Sequence, residues 1–153
     1  MHRRYFLKTL TTCASFVLAC ASGILKPIIA FAEWNTEAFS AITEKDAIEL
    51  FFPDQNISTS DAIDIGAYDL VENGAVVPVK IKTDLPEIKT ITILVEHNPN
   101  PLIANFNLSP GCEGFVATRI KMDQSSDIIA VVNSGGKLYS TRKFVEVLAG
   151  GCG

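Results

Sequence analysis

The residue with the plainest chemistry stands one place from the C-terminus: Cys152, in Ala149-Gly150-Gly151-Cys152-Gly153. Glycine has no Cβ and populates φ > 0 freely, so Gly150, Gly151 and Gly153 impose no preferred shape on this stretch. An extended chain covers ~3.3–3.6 Å per residue, so the residues from Gly150 onward project the sulfur on the order of 10 Å from a folded body. That reach suits a thiol that enters narrow pockets on other proteins; it suits neither a core cysteine nor a disulfide staple. No Lys, Arg or His stands beside Cys152, and the terminal carboxylate opposes the thiolate. Against the ordinary thiol value of ~8.5, the expectation is a protonated, weakly nucleophilic sulfur that a partner must activate.

The remaining chemistry-bearing residues are sparse. Cys112 lies in Ser109-Pro110-Gly111-Cys112-Glu113-Gly114, a turn sequence. It is open to three readings: an incidental loop cysteine, a disulfide partner of Cys152 if the tail folds back, or a link between chains. His97 with Cys112 and Cys152 has no zinc-ligand spacing and no fourth ligand, so no metal is expected. His97, before Asn98-Pro99, reads as a loop residue rather than a general base. Arg119 and Lys121 stand two apart on one strand and share a face, either solvated or contacting a partner. No nucleophile–base pair, phosphate loop or catalytic carboxylate pair stands out, which favours a carrier over an enzyme.

The N-terminus, Met1-His2-Arg3-Arg4-Tyr5-Phe6-Leu7-Lys8, matches the twin-arginine export pattern Arg-Arg-x-Phe-Leu-Lys at Arg3, Arg4, Phe6, Leu7 and Lys8. A mostly apolar stretch runs from Leu10 to Leu25, Lys26-Pro27 breaks it, and Ala30-Phe31-Ala32 fits the small-x-small cleavage rule. The expected mature chain starts at Glu33 and lies in the periplasm. Two other readings are a membrane anchor, for which the apolar run is short, and lipoprotein processing at Cys20, for which Leu18 fits the motif poorly. Cleavage removes Arg3, Arg4, Lys8 and Lys26, so 13 basic residues become 9 against 17 acidic ones, a mature net charge of −8. An acidic domain argues against nucleic acid, whose binding needs phosphate-neutralising cations, and against anionic membranes. Of the 4 cysteines only Cys112 and Cys152 survive cleavage, too few for a disulfide framework. A mature part of about 120 residues fits one domain with its own core.

The elements that must position the thiol read as follows. Asn35 to Phe52 has helical apolar spacing, with a second short helix starting at Thr43 in the capping-box sequence Thr43-Glu44-Lys45-Asp46. Asn56 to Asp61 reads as a polar linker. From Ile63 the pattern turns to period two. Strands are expected at Ala75–Lys82, Thr90–Glu96, Ile103–Leu108, Phe115–Met122, Ile128–Val132 and Lys143–Val147. Pro78 marks the first of these as an edge or bulged strand. Glu72-Asn73-Gly74, Asn98-Pro99-Asn100-Pro101, Ser109-Pro110-Gly111 and Ser134-Gly135-Gly136 supply the turns. Six or seven short strands at this spacing predict a mainly β protein, an immunoglobulin-like sandwich behind a short helical segment. The domain plan is an export signal over 1–32, the sandwich over 33–149 and a flexible carrier arm over 150–153, the last strand running directly into the arm.

Taken together, the tail, the signal and several internal stretches resemble the SoxY family of sulfur carriers. The family tail is Gly-Gly-Cys-Gly-Gly; Gly150, Gly151, Cys152 and Gly153 match it and the final glycine is absent. Glu72-Asn73-Gly74-Ala75-Val76-Val77-Pro78-Val79, Asn98-Pro99-Asn100-Pro101, Phe106 with Leu108, and Thr118-Arg119-Ile120-Lys121-Met122 look like family segments. The resemblance implies a carrier without a cofactor, which binds sulfur intermediates covalently on Cys152 and pairs with a SoxZ-type subunit. It also implies service to a haem-containing SoxAX-type oxidase, a SoxB-type hydrolase and a sulfane dehydrogenase. Two other classes remain open: a non-carrier periplasmic scaffold of a redox complex, and a thiol–disulfide protein, which needs Cys112 within disulfide reach of Cys152.

Overall fold

The computed structural model describes residues 35–149; the predicted export signal and the arm with Cys152 lie outside them. Where one helical region with a second start at Thr43 is expected, two short helices form: α1 (Thr36–Phe39) and α2 (Glu44–Phe51). The Asn35 side chain accepts from the Ala38 N–H at 3.0 Å and donates to the Leu50 carbonyl at 3.0 Å, which caps α1 and ties it to α2. Thr43 caps α2 as its sequence predicts, accepting from the Asp46 N–H at 3.1 Å and donating to the Asp46 carboxylate at 2.7 Å.

Nine strands follow: β1 (Ile57–Thr59), β2 (Ile63–Gly66), β3 (Leu70–Val71), β4 (Val77–Thr83), β5 (Ile88–Val95), β6 (Leu102–Asn107), β7 (Phe115–Ile120), β8 (Ser126–Ser134) and β9 (Lys137–Val147). They form two sheets. The larger has the order β1-β9-β8-β5-β6 with β3 also pairing β9; the smaller is β2-β4-β7. This is the expected immunoglobulin-like sandwich, with three corrections.

The stretch Asn56–Asp61 is no mere linker. Ile57–Thr59 forms β1 and runs parallel to Leu138–Ser140 of β9. Only Ile57 is apolar there, so the strand exists because β9 offers an open edge, not because of its own pattern. The last strand, expected from Lys143, begins at Lys137 and spans 11 residues. Finally, β4 lies in the middle of its sheet, between β2 and β7. Pro78 is tolerated because the β2 ladder stops at Gly66 opposite Lys80, which leaves β4 open on that side at Pro78.

The larger sheet is buried on both faces. Ile91, Ile93, Val95, Ile128, Ala130 and Val132 pack toward Ile63, Ile65, Val77, Val79 and Ile81 of the smaller sheet. Leu94, Ile129, Val131 and Leu138 pack toward Ala38, Ala47 and Phe52 of the helical segment. Two-sided burial explains why Ile128–Val132 is a continuous apolar run rather than an alternating one. The Ser134-Gly135-Gly136-Lys137 turn joins β8 to β9 by two residues, both at positive φ (55° and 84°), a geometry that follows the strand twist and that glycine adopts without strain.

At the far end of the smaller sheet, the Thr83 N–H donates to the Gly114 carbonyl at 2.8 Å. An added Cβ on Gly114 would strike the Thr83 carbonyl oxygen and Ile88 Cδ1. Gly114→Ala is therefore expected to destabilise the fold by roughly 1–3 kcal/mol through overpacking. A lower urea midpoint at unchanged slope checks this; an unchanged midpoint contradicts it.

Candidate functional site at the root of the C-terminal arm

The described chain ends where the glycine arm begins, and that end is firmly held. The Ala149 carbonyl accepts from the Gly74 N–H at 2.8 Å, and the Gly74 carbonyl accepts from the Met122 N–H at 2.8 Å. One step back, the Leu148 N–H donates to the Val71 carbonyl at 3.0 Å and the Glu146 N–H to the Asp69 carbonyl at 2.8 Å. The Val147 N–H donates to Ser125 Oγ at 2.9 Å. The end of β9 is thus flanked by β3 on one edge and by the loop before β8 on the other.

The turn residues create this anchorage. Asn73 Oδ1 accepts from the Ala75 N–H at 2.8 Å, an Asx turn that presents Gly74 to both neighbours. Asn98, only 7% exposed, donates from Nδ2 to the Lys121 carbonyl at 2.8 Å and accepts at Oδ1 from the Asp123 N–H at 2.9 Å. It bridges the backbone on either side of Met122, the residue that holds Gly74. Met122 itself is fully buried. Sequence reasoning finds Asn98 only as a turn residue. Its burial and its two cross-loop bonds depend on residues more than twenty positions away, for which no local pattern exists.

His97 and Cys112, weighed together in the sequence, sit at opposite ends of the sandwich. His97 follows β5 at the arm end, with Nδ1 3.5 Å from the Ser125 carbonyl. Cys112 is an exposed free thiol in the β6–β7 loop, its N–H bonded to the Ser109 carbonyl at 3.1 Å. It lines an open cleft with Asp84, Leu85, Ile88, Lys89 and Pro110 at the other end.

The separation bears on the disulfide reading. The rungs Met122–Gly74 and Thr83–Gly114 mark the two ends of the smaller sheet. Between residues 114 and 122 a strand rises ~3.3 Å per residue, or about 26 Å. From Ala149, the three residues to Cys152 span at most about 11 Å, and a disulfide needs Cα atoms within ~7 Å. Cys152 therefore cannot bridge to Cys112 of the same folded chain. Oxidation of the folded protein is expected to yield disulfide-linked dimers or mixed disulfides and no internal loop. Non-reducing peptide mapping checks this, and a Cys112–Cys152 peptide in the monomer band contradicts it.

Comparison with known proteins follows the same span of chain. The family model of the sulfur oxidation protein SoxY matches residues 48–152. Among solved structures, the chain is similar to the sulfur carrier protein SoxY from Chlorobium limicola f thiosulfatophilum, with 38% identity and a TM-score of 0.65, covering 74% of this chain and 99% of that one. It shares a fold with superoxide reductase (neelaredoxin) from Ignicoccus hospitalis at 22% identity and a TM-score of 0.51, covering 56% of this chain and 80% of that one. No curated protein matches it significantly. With a family match that runs from α2 to the arm cysteine and a structural match that covers nearly all of a solved SoxY, the chain belongs to the SoxY family of sulfur oxidation proteins.

Proposed function

We propose that this chain is the substrate-bearing subunit of periplasmic thiosulfate oxidation, carrying sulfur intermediates on the thiol of Cys152. The observation that carries the reading is the family match extending to residue 152, joined to a β9 end whose last described carbonyl, on Ala149, is hydrogen-bonded in place. A body held up to Ala149 and a glycine-rich arm beyond it divide the labour: the sandwich is recognised, the arm enters.

The chemistry balances as a carrier cycle. The Cys152 S–H and the outer sulfur of thiosulfate join in an S–S bond; two electrons pass to a SoxAX-type haem oxidase and the thiol proton leaves to solvent. Water then attacks the sulfonate sulfur in a SoxB-type hydrolase, the bond between that sulfur and its neighbour breaks, and sulfate departs. A persulfide stays on Cys152 for a sulfane dehydrogenase. The thiol–thiosulfate step needs a sulfur whose reactivity is raised only inside the oxidase, in keeping with the absence of basic neighbours around Cys152. A SoxZ-type subunit completes the carrier, and the Arg3-Arg4 signal exports it.

The test is intact mass spectrometry of the mature protein with its partner subunit after incubation with thiosulfate and the cognate haem oxidase. A thiosulfate-derived adduct mapped to Cys152 supports the carrier. An unmodified Cys152, under conditions that load an authentic family carrier, replaces it with a scaffold role.

A further inference from the structure

The two outer faces of the sandwich are treated differently. The larger sheet is covered by α1 and α2, and two of its cations, Arg142 and Lys143, are ion-paired, whereas Lys89 and Lys137 at the end away from the arm have no carboxylate within ion-pairing distance among the described residues. Arg142 contacts Glu44 at 2.7 Å and Glu96 and Asp127 at 3.5 Å, and Lys143 contacts Asp69 at 3.0 Å. The smaller sheet has nothing over it among the described residues. Its inward positions, Val77, Val79, Ile81, Val116 and Ile120, are buried. The alternate positions face out, and they bring Lys80 and Lys82 of β4 beside Arg119 of β7 and the adjoining Lys121. None of these four cations has a carboxylate within ion-pairing distance among the described residues, although Asp64 lies opposite Lys82 in register.

This placement is costly to a chain that carries only 9 basic residues against 17 acidic ones after the signal. Four of the nine stand unpaired on one exposed face, where like charges repel. The floor around Lys80 is low: Gly66 and Ala117 pair with it from either side and Pro78 is the next outward residue on β4, so another surface can approach the sheet beside Lys80 and Arg119. Tyr68, 71% exposed, lines the same groove beside Pro78 and Lys80.

The position of this face relative to the arm gives it a use. Pro78 and Arg119 pair near the end of β4 and β7 where Gly74 and Met122 hold Ala149. Gly74 to Pro78 is four residues, at most about 14 Å, and the arm from Ala149 to Cys152 spans about 10 Å. A protein seated over Lys80 and Arg119 has the arm at its margin.

We propose that the outer face of the β2-β4-β7 sheet is the docking platform for an enzyme that acts on the arm thiol, and that this enzyme meets it with a carboxylate-rich rim around its pocket. The inference rests on the carrier reading of Cys152. Cations spread over two strands, ~7 Å apart along each, suit an extended acidic surface better than a single small anion. The mature charge of −8 opposes approach to an anionic membrane, whereas a local protein patch acts within a Debye length of ~8–10 Å. Contacts of this kind act chiefly on association rate and depend on salt.

The experiment follows loading of Cys152 by intact mass, with thiosulfate and the cognate haem oxidase, at low and high salt. The proteins are the wild-type mature chain with its partner subunit, Lys80→Glu/Arg119→Glu, and a second pair, Lys82→Glu/Lys121→Glu. Wild-type loading is expected to slow as salt rises. The first pair is expected to load about tenfold or more slowly at low salt, with little salt dependence, and to converge on wild type at high salt. Thermal midpoint and the rate of Cys152 with a small aromatic disulfide should not move, which separates docking from folding and from thiol reactivity. Equal loading of wild type and both variants at every salt concentration overturns the docking platform and leaves the carrier reading intact. Absence of any adduct on the wild type sinks the carrier reading and this role with it. Sedimentation of wild type, but not of the variants, with phosphatidylglycerol vesicles assigns the face to a membrane instead and overturns the proposal.

Discussion

Cys152→Ser is expected to abolish sulfur loading while the domain stays folded. A serine hydroxyl keeps the size and the hydrogen-bonding capacity of the thiol but cannot form the S–S bond through which a sulfur intermediate is held. No other thiol can substitute. Cys112 lies at the opposite end of the sandwich, about 26 Å along the sheet from the arm root, so an enzyme that receives the arm does not meet it. Stability should change by less than about 0.5 kcal/mol, because the buried core and the closing hydrogen bonds of the described residues, up to the Ala149 carbonyl, are made without Cys152. The check pairs intact mass after thiosulfate and oxidase treatment with a thermal unfolding curve. A variant that still acquires the adduct moves the carrier sulfur elsewhere; one that unfolds makes the arm part of the structure.

The largest structural effect is expected from Ile93→Ala, at about 3–5 kcal/mol, the upper part of the range for buried aliphatic truncation. Ile93 is fully buried between the sheets, in the middle of β5, the strand flanked by both β6 and β8. Its lateral neighbours in register are Ala104 on β6 and Ala130 on β8. Both are too short to fold into the space that a lost isoleucine leaves, so the cavity persists and its cost is felt in full. Total stabilities are typically ~5–15 kcal/mol, so such a loss removes a large share of the fold's margin. Leu94→Ala, one residue on, empties the opposite face against the helical segment. Ile129 and Val131 neighbour that side, and α1 and α2 can settle inward, so a smaller loss is expected. Urea denaturation of the two variants ranks them; a larger loss for Leu94→Ala would show that the helical layer, not the sheet-to-sheet core, is the rigid part.

These effects show which parts of the protein are legible from its residues alone. The glycine turn after Ser134, the Thr43 cap and the apolar run of β8 are local, since the residues that form each lie within a few positions of one another. The cysteine among its glycines is local in the same sense, and so are the paired arginines of the expected export signal. β1 was not legible, because a stretch with one apolar residue becomes a strand only when the edge of β9 lies beside it. The central place of β4 was hidden for a related reason: Pro78 bars a ladder only where a neighbour is present, and the length of β2 decides that. Asn98 reads as a turn residue until loops more than twenty positions away close over it.

By itself, then, the sequence determined the chemistry on offer and the building blocks: a cysteine set among glycines, a run of alternating strands, and the family to which they belong. Only the tertiary structure decided the geometry that puts them to use. It holds β9 fast up to Ala149, sets Cys112 beyond reach of the arm, and turns four unpaired cations to one uncovered face beside the arm root. The reason is physical. Residue type and short spacing determine reactivity and local conformation, whereas sheet order and register bring together groups that are distant along the chain, and those pairings depend on the whole core being packed at once.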